Sequence, residues 1–201
     1  MKRLYRPEAP KFLVENAEQW GKEFAAKRAA NPNGEFQWKQ VDKQKVNVVL
    51  REVLLEKMTQ YHCSYCDGGY ILGAAADETI DHFRPKFSFP NLVYQWENLF
   101  VCCNVCQKHK LEKFDELLLK PDAEDFSTLR YFILNYESGA IDINPAASEA
   151  DKSRAEATIR LLGLNTIRRQ KMRLNECKKW DNSNEATRVI DEWNFRFFLE
   201  P

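Results

Sequence analysis

The chain has 201 residues, 44% of them apolar and 30% charged, with a formal net charge of +0. That length suits one core-bearing domain, with or without arms, and the balanced charge excludes a polycationic tail binder while allowing a local basic face. No apolar run reaches the 18 residues of a membrane span and MKRLYRPEAPKFL lacks the apolar stretch of a secretory signal, so the cytoplasm is the expected compartment.

Residues 1–11 hold two prolines and are expected to form an arm. Phe12, Leu13, Ala17, Trp20, Phe24 and Ala25 follow helical spacing and predict a helix to Ala30, broken by NPNGEF at 31–36. Val46, Val49, Leu50, Val53, Leu54 and Met58 share one face of a second helix expected over 41–60. DGGY at 67–70 reads as a turn, TIDHF at 79–83 as a short strand, and SFPNLVYQWENLF as extended or irregular chain. CQKHKLEKFDELLL reads as helical as far as Leu119, closed by Pro121. STLRYFILNYESGAIDI at 127–143 predicts a β-hairpin turning at Ser138-Gly139. A helix from Ser148 or Asp151 to Gly163 follows, and a last helical region runs from Thr166 into the 190s. The expected fold is α+β and mostly α-helical. It divides into an N-terminal arm and helices (1–60), a metal-stapled core (61–120) and a C-terminal hairpin and helical region (121–201), joined as one compact unit.

Residues 61–110 carry five of the six cysteines and all three histidines. Cys63 and Cys66 form one C-x-x-C pair, Cys103 and Cys106 a second. Two such turns supply the four sulfurs of a closed, structural Zn²⁺ site; iron takes the same set, but the two-pair pattern favours zinc. Buried or redox thiols are the plainer alternative. Cys102 adjoins Cys103 and competes with it as a ligand, while Cys177 stands alone and suits the core. A staple does not explain Asp81-His82. Histidine is suited to proton transfer near neutral pH and a carboxylate to holding a divalent cation, but neighbours in a strand diverge unless the backbone twists there. Asn98 can pin a loop or orient the imidazole. Gln107 and His109 both follow Cys106 closely enough to reach back toward an ion at Asp81.

The order C-x-x-C, DHFRPK, WENLF, C-x-x-C, K resembles the HNH nucleases, whose ββα-metal site is two short strands and a helix around one divalent ion. The resemblance implies His82 as general base, Asp81 as ligand of a catalytic Mg²⁺ or similar cation, and Asn98 as the residue holding the loop. The third motif position, usually His or Asn, is Gln107 here, with His109 as the other candidate. Lys110 matches a lysine common at this point and, with Arg84 and Lys86, is a candidate for holding phosphates of DNA or RNA. Residues 36–180 further resemble the PtuB subgroup of Septu and retron-associated anti-phage proteins, which implies an ABC-type ATPase partner of the PtuA kind. A non-catalytic zinc-stapled binding module and an RNA-specific nuclease are the competing readings. The aromatic residues of the block and the basic run at 167–179 are better explained as core packing and as a solvated helix face, respectively.

Overall fold

The computed structural model describes residues 1–69 and 78–200. Among the described residues it is a mixed α+β fold of helices and three two-stranded antiparallel sheets. Helix α1 spans Lys11–Ala30 and buries Leu13, Ala17, Gly21 and Phe24, a stripe recurring every three to four residues. A Cβ on Gly21 would stand 2.3 Å from the Asn91 carbonyl oxygen, so this glycine lets α1 lie directly on the turn at 90–92.

The helix expected over 41–60 begins later. Strands β1 (Gln40–Val41) and β2 (Gln44–Lys45) pair through Asp42 and Lys43, both left-handed at φ 49° and 67°. The polar QVDKQK stretch has no apolar face to bury as helix. Helix α2 covers Val46–Leu54 and buries Val46, Leu50 and Leu54. A wider π-type turn, Leu55–Thr59, carries it on to left-handed Gln60 and Tyr61. There the chain reverses into the first cysteine pair.

Strands β3 (Glu78–His82) and β4 (Leu99–Cys103) are antiparallel, with Asp81 opposite Phe100 and His82 opposite Leu99. Short 3₁₀ turns at Pro90–Leu92 and Trp96–Asn98 shape the loop between them. The turn expected at 67–70 is described through Gly69, where Asp67 is left-handed at φ 52°; Tyr70 lies outside the described residues. Helix α3, Asn104–Lys110, follows β4 directly. It stops well short of Leu119, because Leu111 adopts φ 49° and the chain leaves the helical path.

The short helix α4 (Thr128–Tyr131) leads into the predicted hairpin, β5 (Phe132–Leu134) with β6 (Ile141–Ile143). Helix α5, Glu149–Leu162, has the expected ends: Ser148 Oγ accepts from Asp151 N–H, and Gly163 closes it in the left-handed region. Helix α6 spans Ile167–Asp181, and only 3₁₀ turns and a final four-residue α7 (Arg196–Leu199) follow, so the long terminal helix is interrupted.

The expected arm is packed. Met1 and Leu4 are buried, Leu4 N–H donates to the Pro121 carbonyl, and Arg6 donates to the Trp96 and Leu99 carbonyls while pairing with Asp122. One apolar cluster takes residues from Met1 through Phe100 and Phe132 to Phe198. Among the described residues no helix is long and apolar enough to cross a membrane.

Candidate metal centre and catalytic cleft

The two cysteine turns meet because one precedes β3 and the other caps α3. Ser64 N–H donates to the Val101 carbonyl, which seats the first turn on β4. Backbone amides then point at sulfur: Gly68 to Cys66, Cys103 to Cys63, and Cys106 to Cys103. The sulfurs of Cys63, Cys66, Cys103 and Cys106 all lie within 4.8 Å of one another, and none of these cysteines is in a disulfide. Four sulfurs at Zn–S distances of about 2.3 Å stand about 3.8 Å apart around a tetrahedral ion. Cys66 and Cys103 are separated by 3.8 Å. The donor set therefore fits zinc. Cys102 stays outside the cluster, its thiol donating to the Cys103 carbonyl.

Nothing in the cysteine pattern announced Arg169. Its guanidinium, on a residue 4% exposed, sits 2.9 Å from Cys106 Sγ and 3.8 Å from Cys103 Sγ. Burial alone would lower its pKa, yet the surrounding sulfurs raise it above the usual range. The basic run at 167–179 thus fails as a solvated face at Arg169, Arg173 and Glu176, all of which are buried.

A cleft of about 330 Å³ opens between β3 and α3. Asp81, His82, Lys86, Gln107, Lys108 and Glu112 line it with apolar neighbours. Asp81 and His82 are each 6% exposed. His82 ends β3, and the two side chains pack into different neighbourhoods that meet at this cleft.

His82 lies parallel to Trp38, with ring centroids 5.5 Å apart, and edge-on to Phe36. Its Nε2 is 3.0 Å from the Val93 carbonyl. A carbonyl only accepts, so Nε2 carries the proton and Nδ1 the lone pair. Burial, followed by the charge of Lys86, lowers its pKa to about 3. The imidazole is neutral at ordinary pH.

Asn98 holds the loop that supplies Val93. Its side-chain oxygen accepts from Arg84 N–H at 2.7 Å, and its amide donates to the Arg84 and Leu92 carbonyls. Asp81 accepts from Tyr65 Oη at 2.6 Å and pairs with Lys110 Nζ at 3.0 Å. Burial nonetheless raises its carboxyl pKa, outweighing Lys110 and Tyr65.

Lys110 is 0% exposed and also donates to the His82 carbonyl at 2.7 Å. Its ammonium is buried between Asp81 and the His82 carbonyl. Gln107 shares the cleft with Asp81 and His82, whereas His109 packs against Gly163, where a Cβ would stand 2.6 Å from its ring. Arg84 forms a two-pronged pair with Glu116, and Lys86 pairs with Glu112, both at the surface.

Trp38, Phe36, Tyr65 and Arg169 are the participants that sequence reasoning missed. Tyr65 had one available signal, its place inside the first C-x-x-C. The others reach the site from distant segments.

No protein-family model matches the chain. It is 30% identical over 112 residues to the Septu protein PtuB of Bacillus thuringiensis, a stretch covering 53% of this chain and 36% of that protein. The chain thus spans about a third of the length of the curated relative it matches.

Proposed function

We propose that the chain is a metal-dependent endonuclease of the HNH kind, stapled by zinc and cutting phosphodiester bonds in DNA or RNA. The observation that carries this reading is the clamp on His82: Nε2–H is held by the Val93 carbonyl, the ring is stacked on Trp38, and the residue lines the cleft that holds Asp81 and Gln107. A pure staple has no use for a neutral imidazole fixed in one tautomer. Two short strands, β3 and β4, followed by helix α3 support this reading, since the HNH resemblance implies two strands and a helix.

His82 Nδ1 would take the proton from the attacking water. Asp81 and Gln107 would hold the divalent cation, Mg²⁺ or a similar ion, through oxygen donors with water completing the shell. Such an ion supplies charge stabilisation at the phosphate and the leaving oxygen. Asn98 works indirectly, by holding the loop that presents Val93. Lys86 and Lys108 line the cleft and would meet substrate phosphates; Arg84 would do so from the rim once Glu116 releases it.

Similarity to PtuB supports an anti-phage setting, with an ABC-type ATPase of the PtuA kind as partner and the cytoplasm as compartment. A non-catalytic zinc-stapled binding module is the second reading. One observation favours it: Tyr65 and Lys110 already engage Asp81.

The test is incubation of the zinc-loaded chain, alone and with that ATPase, with plasmid DNA and with RNA. The nuclease reading expects cleavage with Mg²⁺ that stops on chelation of Mg²⁺. Intact substrates under every condition favour the binding module.

A further inference from the structure

We propose that Arg169 is the counterion of the four-thiol site, so that the ion held there fixes helix α6 as well as the two cysteine turns. The inference rests on the zinc reading and extends it to a residue outside the cysteine block. Four thiolates around Zn²⁺ leave a net charge of −2, and uncompensated charge in a buried site is costly. The site is buried, with Cys63, Cys66 and Cys106 each nearly sealed from solvent.

The guanidinium meets that charge with one end of its fork and is anchored by the other. Nη2 is aimed at Cys106 Sγ, while Nη1 donates to the Leu162 and Gly163 carbonyls at 2.8 and 3.1 Å. Those carbonyls close α5, where a helix end favours a cation. The arginine is thereby oriented before any ion arrives. A lysine would keep the charge but lose the planar fork that reaches sulfur and carbonyl together. Arg168, its neighbour, is exposed.

A second tie runs from α6 to the first cysteine turn. Glu176 of α6 accepts from the Asn194 backbone and side-chain amides at 2.9 Å, and Asn194 in turn accepts from Gly69 N–H at 3.0 Å. Phe195 N–H donates to the Asp67 carbonyl, and Arg196 pairs with the Asp67 carboxylate at 2.6 Å. Helix α6 and the segment after it therefore grip both halves of the metal centre.

The experiment uses the full zinc-loaded chain and its Arg169→Gln, Arg169→Lys and Arg168→Gln variants. Zinc release to a chromogenic chelator is followed by absorbance, and hydrogen exchange is measured on the parent before and after zinc removal. The parent is expected to hold one zinc. Arg169→Gln is expected to release it about tenfold faster or more, the scale set by partners of metal ligands. Arg169→Lys should fall between, and Arg168→Gln should match the parent. Amides of α6 should lose protection together with the cysteine turns when zinc leaves the parent.

Release from Arg169→Gln at the parent's rate overturns the proposal, as does α6 protection indifferent to zinc. Should Arg169→Gln not fold, the zinc-release rate of Arg169→Lys against that of the parent decides, equal rates overturning the proposal. A parent without zinc overturns the zinc reading itself, which separates the two failures.

Discussion

At the scale of single residues, the His82 environment makes the clearest demand. Its pKa is about 3 in the folded chain against 6.5 when unperturbed, with burial the main cause. Below pH 6.5 the unfolded chain takes up a proton that the folded chain refuses. The stability this group allows is therefore full above pH 6.5 and is lost as pH falls toward 3. Asp81, whose pKa burial raises, works in the opposite sense. His82→Ala should remove roughly 2–3 kcal/mol of the loss between about pH 7 and about pH 4.5, read as the difference between two urea titrations. An unchanged difference would mean the imidazole is not held neutral.

Gln107 and His109 separate by a second experiment. Gln107→Ala should cut metal-dependent cleavage by about tenfold or more, while His109→Ala leaves it near the parent's rate, since that ring packs on Gly163 away from the cleft. The reverse ranking would move the ligand role to His109. The four-cysteine cluster was legible because it lies in local spacing, whereas Asp81, His82 and Asn98 were singled out by residue type and by resemblance. The Trp38 stack, the Val93 carbonyl and the Lys110–Asp81 pair were not, because they are made through space by segments whose approach no spacing reveals.

At the scale of elements, α1 reaches the site through the 90–92 turn. Gly21 lies against Asn91, two residues before Val93, whose carbonyl holds His82. Gly21→Ala should cost roughly 1–3 kcal/mol, seen as a lowered thermal midpoint, because backbone must shift to admit the methyl group. A midpoint equal to the parent's would show that α1 does not brace this turn.

Helix α6 explains why its role escaped the sequence. It buries Arg169, Arg173 and Glu176 while Ile167 and Met172 remain exposed, the inverse of an ordinary amphipathic helix. Its charges have internal partners, as where Arg173 donates to the Gly139 and Leu164 carbonyls. Helices α1 and α5 were readable from apolar spacing and caps. The β1–β2 hairpin and the early end of α3 depend on left-handed Asp42, Lys43 and Leu111, residue types that do not advertise that conformation.

At the scale of the whole molecule, one apolar cluster runs from Met1 to Phe198 and includes Cys63, Cys66 and Cys106 of the thiol site. Stripping zinc with a strong chelator should therefore lower the melting temperature of the entire chain. Added Zn²⁺ should restore it where Mg²⁺ does not. A melt indifferent to chelation would make the four thiols ordinary core. The α+β class and a four-thiol cluster able to hold a metal could be anticipated from composition and cysteine spacing. The packed N-terminal segment could not, since two prolines and several charges read as an arm until Arg6 and Leu4 are seen to bond the chain near 96–122.

The most direct measurement is a nicking assay on the zinc-loaded chain with Mg²⁺, comparing the parent with His82→Ala at equal zinc content, with and without the proposed ATPase. A proton-accepting imidazole predicts that the parent cuts and that the variant slows by about a hundredfold or more. Equal cutting by the two proteins would contradict it.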